Sequence, residues 1–246
     1  MDWSTKWEKF ISTMQAEYFQ QLLVDGLLNT IKVAILGLLI GIVIGTVIAV
    51  VKVAPKYKWI MRILDKVCVV YVALFRGTPM VVQLLLAYYV LLPTLGIRDV
   101  NSLTVGIVVF GMNSGAYVSE IMRGGINSVD KGQMEAGRAV GLGYATTMIK
   151  IVIPQAVKNI LPTLGNEFIT LIKETSVLSF ITVYDLYTAL SAIGSKNYEK
   201  MVPYLVMAVI YIVLVLFITL LVHLLEKALA KSDKTVEKKA KAVKEA

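Results

Sequence analysis

Residues 131–154 read KGQMEAGRAVGLGYATTMIKIVIP, a polar, glycine-rich start followed by an apolar finish. Helix signals lie inside it. Asp130 can cap a helix, and Glu135 falls early, where negative charge favours the N-terminal dipole. Ala136, Ala139 and Val140 make a small, shallow apolar face. Gly137, Gly141 and Gly143 would each cost an isolated helix about 1 kcal/mol. Glycines kept at that cost predict that something approaches this backbone closely.

On both sides the chain turns apolar. It is 57% hydrophobic and only 17% charged over 246 residues, where a soluble domain would carry roughly 25% charged residues. Thr30 to Val51 holds one charge, Lys32, and Met201 to Leu225 holds none. Such runs predict membrane spans. Five are expected, at about 27–51, 59–92, 103–122, 155–190 and 203–226. The second and fourth exceed the roughly 20 residues that cross a bilayer. Pro79 and Pro162 are the expected breakers, and splitting either run would give six or seven spans. Gly37, Gly41 and Gly45 put small residues on one face of the first span, where another helix can pack closely.

Basic residues set the orientation. Lys52, Lys56, Lys58, Arg62 and Lys66 follow the first span, and Lys227, Lys231, Lys234, Lys238, Lys239, Lys241 and Lys244 follow the last. The intervening ends carry only Arg98, and Lys196 with Lys200. The expected topology has the N-terminus outside, the C-terminus in the cytoplasm and residues 123–154 in the cytoplasm. Residues 1–25 are expected to form an amphipathic segment on the outer surface, through Trp3, Trp7, Phe10, Met14 and Tyr18, with a partly disordered leader as the alternative. Residues 227–246 form a Lys-rich cytoplasmic tail, read as a solvated helical extension. The net charge of +8 lies in short loops and the tail, which argues against nucleic acid as a partner. The single Cys68 excludes an intrachain disulfide and reads as packing. No cleavable signal peptide is expected.

The chain lacks G-x-x-x-x-G-K-[ST], G-x-S-x-G, H-E-x-x-H and any Cys/His cluster. No catalytic or metal-ligating residues are expected. Its single histidine, His223, reads as interfacial. There is no T-V-G-Y-G filter and no convincing internal repeat, which weighs against a channel or secondary transporter.

Within 131–154, Glu135, Ala136, Gly137, Gly141, Ile151, Ile153 and Pro154 match without a gap a motif of E-A-A, three residues, G, nine residues and I-x-L-P. The chain thereby resembles the permease subunits of ABC importers, with Gly137 and Ile153 as conservative departures. Leu74 to Pro79 with Gln83, Ser114 to Ile121, and Gly165 to Ile169 with Lys173 to Ser176 resemble the polar amino-acid (histidine/glutamine/arginine-type) permeases. That subfamily often has Asp where this chain has Glu174. The resemblance implies an all-α type I importer transmembrane domain, covering residues 26–226, with a cytoplasmic coupling helix. It implies an ABC ATPase dimer holding ATP and Mg, a second permease subunit, the same or homologous, and an external solute-binding protein in a bacterial cytoplasmic membrane. This chain would bind no cofactor. Glu135, Ala136, Gly137, Gly141 and Pro154 are the expected ATPase-coupling residues.

Thr163, Asn166, Glu167, Thr170 and Glu174 recur at steps of three or four in the fourth span. Ionised groups in lipid are costly and normally face a cavity or partner. An amino acid needs acceptors for its ammonium group and donors for its carboxylate. Asn166, Glu167, Thr170 and Glu174 are therefore candidate lining residues, joined by Arg76, Thr78 and Gln83. The competing expectation is that Arg76 and Glu167 pair with each other. Glu120 and Arg123 are expected to be interfacial, and Asp185 to meet the binding protein or Lys196. The loop alone also allows another small solute, such as a peptide, phosphate or sugar, and an ATP-independent secondary transporter is the alternative from another class.

Overall fold

A computed structural model describes residues 2–245, with side chains through residue 229. The helices are α1 (Trp3–Met14), α2 (Glu17–Val53), α3 (Trp59–Gly77), α4 (Met80–Thr94), α5 (Ser102–Asn127), α6 (Lys131–Ala139), α7 (Tyr144–Ile181), α8 (Leu186–Lys196) and α9 (Met201–Glu245). Among the described residues, α2, α5 and α9 are long and apolar enough to cross a membrane. The bent pairs α3–α4 and α7–α8 bring the number to five if each is one span. The Lys-rich tail continues the α9 backbone, and its side chains from residue 230 lie outside the described residues, as does its expected solvated character.

The first break falls where expected. Thr78 is extended (φ −123°, ψ 144°), as the residue before a proline must be, and Pro79 opens α4 across a bend of 107°. Breaking a helix in lipid orphans carbonyls. Gln83 satisfies two of them, since its Nε2 donates to the carbonyls of Phe75 at 2.8 Å and Thr78 at 3.0 Å. Its Oε1 accepts from Asn113 Nδ2 at 2.9 Å, which anchors the bend to α5.

The second break does not fall at Pro162, which lies inside a continuous helical stretch, Ile153–Glu174. Membrane helices tolerate proline where neighbours restore the freed backbone groups. The chain turns instead after a 3₁₀ stretch, Thr175–Ile181, where Thr182 is left-handed (φ 62°), and the bend to α8 is 56°. Asp185 sits at this turn, fully buried, and does not meet Lys196 or an external partner as expected. Its carboxylate accepts from the backbone N–H of Thr188 at 2.9 Å and Tyr187 at 3.2 Å and from the Thr188 hydroxyl at 2.6 Å, capping α8. We expect Asp185→Ala to destabilise the chain by about 0.5–2 kcal/mol, the range for a lost cap. A thermal unfolding midpoint in detergent that equals the wild type would contradict this.

The glycine ladder of α2 packs on α5. A Cβ at Gly41 would stand 2.6 Å from Ser114 Oγ, one at Gly45 would stand 2.6 Å from Val118 Cγ1, and one at Gly37 would stand 3.1 Å from Phe110 Cβ. The fit is reciprocal, since Ile40 and Ile44 of α2 press on Gly111 and Gly115 of α5. Both backbones can approach only because these side chains are missing. Val33, Ala34, Leu84, Phe110, Leu171, Ile172, Leu178 and Ile181 form the central core beside this seam.

The N-terminal segment divides. Residues from Glu17 belong to α2, about ten before the expected start of the first span. Part of the α1 stripe packs on protein, while Trp3 and Tyr18 remain exposed. Phe10 is buried against Leu186, Leu190, Ile193 and Val202, with Trp7 and Met14 packed alongside. Cys68 is half-buried beside Ile48, Val72 and Ala116, a packing position. His223 is exposed near Glu226.

Candidate functional site

The matched motif folds as helix α6 and a sharp turn. Asp130 accepts from the Gly132 N–H at 2.6 Å and so caps the helix start. At the other end Leu142 N–H donates to the Gly137 carbonyl at 3.1 Å, and Gly141 N–H donates to Arg138 at 3.0 Å. This is a Schellman closure, with Gly141 at its left-handed position (φ 87°). The expectation that the glycines await a close partner divides by residue. Gly137 is buried under the chain's own Thr147, whose Cγ2 would lie 2.5 Å from an added Cβ. A Cβ added at Gly141 or Gly143 would meet nothing within 4 Å. Gly141 is needed for its backbone angle, not for space in the isolated subunit.

Glu135, Ala136, Arg138 and Ala139 are exposed, and Val140 is 77% exposed, an apolar side chain at the end of a short helix. Pro154 is exposed in the first turn of the following α-helical stretch, preceded by a π-helical turn at Met148–Val152. A proline offers no N–H to the carbonyl one turn back, and the wider π turn accommodates that loss. Side chains fasten the loop to the bundle: Tyr144 OH donates to the Val53 carbonyl at 3.4 Å, Gln155 to Gln133 at 3.2 Å and Asn159 to Ser128 at 2.8 Å. Glu120 joins Lys52 of α2 at 2.5 Å and Arg123 at 2.6 Å close by, linking two helices above the loop. This double pairing is more specific than the interfacial role expected from the sequence.

The polar stripe of α7 separates into two groups. Thr163, Asn166 and Thr170 are exposed on the isolated subunit. Glu167 is only 9% exposed and accepts a hydrogen bond from Ser114 Oγ at 3.0 Å, while Glu174 is half-buried. Ser114 is itself fully buried against Gly41, so the glycine ladder also positions the partner of Glu167. Arg76 does not pair with Glu167. Its guanidinium lies 5.3 Å from the centre of the Tyr117 ring, a cation–π contact.

Thr78 and Gln83 line an apolar cavity of about 480 Å³ at the α3–α4 bend. Their polar atoms are engaged within the chain: Thr78 Oγ1 donates to Leu74 at 2.8 Å and accepts from Gln83 Nε2 at 2.9 Å. They shape the bend. The sequence reading did not single out Ser114, Asn113 or Tyr117 as site residues. A buried carboxylate needs a donor on a facing helix, and Ser114 within an apolar run was a signal for one.

The profile of the family described as binding-protein-dependent transport system inner membrane component matches residues 37–231. A putative glutamine transport system permease protein of Rickettsia bellii is 38% identical over 210 residues, covering 85% of this chain and 94% of that protein. The arginine transport system permease protein of Bacillus subtilis is 36% identical over 213 residues, covering 86% and 94%. A crystal structure of an amino acid ABC transporter with histidines matches at TM-score 0.78 and 39% identity, covering 89% of this chain and 98% of that one. An inward-facing methionine ABC transporter matches at TM-score 0.70 with 19% identity, a likeness of fold. With the motif folded as an exposed helix on a bundle of broken spans, this multi-pass chain belongs to the binding-protein-dependent inner membrane component family and is a non-enzymatic permease subunit of an ABC importer.

Proposed function

We propose that this permease carries an amino acid, delivered by an external solute-binding protein and driven by an ABC ATPase dimer that holds ATP and Mg. The observation that carries the reading is an exposed polar stripe on α7, Thr163, Asn166 and Thr170, with the carboxylate of Glu167 beside it, while the guanidinium of Arg76 on α3 lies over Tyr117 of α5. A zwitterion needs both signs of charge within one passage. The relatives named for glutamine and arginine, and the amino acid transporter of like fold, favour the same substrate class. In this reading Arg76, Asn166, Glu167, Thr170 and Glu174 line the path, and Thr78 and Gln83 keep its wall bent. A second permease subunit, the same or homologous, covers the stripe.

The ATPase docks on Glu135, Ala136, Arg138 and Val140, with Gly137, Gly141 and Pro154 shaping that surface. The Lys and Arg distribution favours a bacterial cytoplasmic membrane with the N-terminus outside and α6 in the cytoplasm. The test is reconstitution of the chain with its cognate ATPase and solute-binding protein. ATP-dependent uptake of a radiolabelled amino acid, glutamine and arginine first, is expected and should vanish without ATP. Uptake at full rate without any ATPase, or uptake of only a sugar or phosphate, would overturn the reading.

A further inference from the structure

Helix α6 stands off the ends of α2 and α5. A cavity of about 520 Å³ lies between them, lined by Val53, Ile126, Met134, Tyr144 and Met148 among others. A second, of about 260 Å³, adjoins it through the shared Val53, Ile126, Tyr144 and Met148. Close-packed contacts pass a displacement on, whereas a side chain facing a void can yield. Met134 and Met148 border the void and are themselves flexible, so apolar contact is a poor route from α6 to these two helices.

Tyr144 bridges the gap. Gly137 of α6 packs under Thr147 in the first turn of α7, where an added Cβ would stand 2.5 Å from Thr147 Cγ2, so α6 and that turn are locked together. Tyr144 opens the same turn and lines both cavities. Its hydroxyl donates to the Val53 carbonyl at 3.4 Å, a long bond. Val53 is the last residue of α2, and its carbonyl has no donor within the helix.

The receiving end is clamped. Lys52, beside Val53, pairs with Glu120 Oε1 at 2.5 Å, and Glu120 Oε2 accepts from Arg123 at 2.6 Å. The Lys52 and Glu120 side chains are only 13% and 20% exposed, so water screens little of their attraction. Without its partner, each would be a poorly solvated charge. The pair follows the last small-residue contact of the α2–α5 seam, where Gly45 meets Val118 and Ser119. Whatever moves Val53 therefore moves α5 with it.

We propose that Tyr144 is the strut that carries displacement of α6 to the end of α2, and that Glu120 is the positioning residue that passes it, through Lys52, to α5. The proposal rests on the reading of α6 as the ATPase dock.

The readout is ATP hydrolysed per amino acid taken up, with the permease, its cognate ATPase and its solute-binding protein in proteoliposomes. A side chain that serves only stability lowers both rates together and leaves this ratio alone. Tyr144→Phe keeps the ring and removes the bond, and should raise the ratio about threefold, in keeping with one neutral hydrogen bond. Glu120→Gln should raise it about tenfold or more, with Glu120→Asp recovering part of the coupling. The two residues act in series, so Tyr144→Phe with Glu120→Gln should be no worse than Glu120→Gln alone. A wild-type ratio in either single variant, or losses that multiply in the double variant, overturns the strut. Gly141→Val is the control for the dock. Where Gly141→Val raises the ratio, failure at Tyr144 or Glu120 belongs to the strut alone. Where Gly141→Val also keeps the wild-type ratio, the reading of α6 as the dock fails with it.

Discussion

Gly141→Val should leave the permease inserted in the membrane and reduce ATP-driven uptake to background. The reason is local and geometric. Gly141 holds φ 87° at the close of α6, a conformation that costs a residue with a Cβ roughly 1–2 kcal/mol, and a β-branched residue is a genuine outlier there. Relaxing that angle breaks the bonds from Leu142 to Gly137 and from Gly141 to Arg138, and the helix end then points elsewhere. The bundle is untouched, because a Cβ added at Gly141 would meet nothing within 4 Å. Gly141→Asn separates angle from bulk, since asparagine tolerates the left-handed region. It should retain part of the uptake. Gly141→Asp, which adds charge, should uncouple ATP hydrolysis from transport in proteoliposomes. Normal transport by the valine or aspartate variant would remove this turn from the coupling surface. Equal loss in Val and Asn variants would place the fault in occupied space at the ATPase contact.

Glu167→Gln should lower uptake at least about tenfold without loss of the ATPase from the purified complex. The glutamine keeps shape and can still accept the hydrogen bond from Ser114, which measures 3.0 Å in the wild type. What disappears is charge, and a hydrogen bond to a charged group contributes about 1.5–3 kcal/mol where a neutral one contributes about 0.5–1.5. An ammonium group in the path would lose that difference, and a factor of ten corresponds to about 1.4 kcal/mol. Initial uptake rates matched for protein in the membrane give the answer. Wild-type uptake would return Glu167 to a packing role. A complex that falls apart would make it a structural residue of the bundle.

The long apolar runs, the glycine ladder and the coupling motif were legible in the residues, because each is a local pattern with a period or a spacing. The break at Pro79 was legible for the same reason, since proline acts on its own backbone. The break assigned to Pro162 was misplaced: the helix runs through it and yields at Thr182 to Asp185, where Thr30, Asn29 and Gly26 of α2 meet the turn. Those are contacts over more than 150 residues of sequence, with no local signature. The N-terminal stripe was recognised as amphipathic, but its partner was not, because a lipid face and a protein face call for the same residues. The candidate lining shows the same limit. Steps of three and four put Asn166, Glu167, Thr170 and Glu174 near one another, yet only packing distinguishes the buried Glu167 from its exposed neighbours.

The seam of α2 and α5 sets where this molecule can deform. With Ile40 and Ile44 filling the places opposite Gly111 and Gly115, and Phe110, Ser114 and Val118 filling those opposite Gly37, Gly41 and Gly45, neither helix can slide without a collision. The two behave as a single girder. Both breaks in the bundle lean on that girder, the bend at Thr78–Pro79 through Gln83 and Asn113 of α5, and the turn at Thr182–Asp185 through Asn29 and Thr30 of α2.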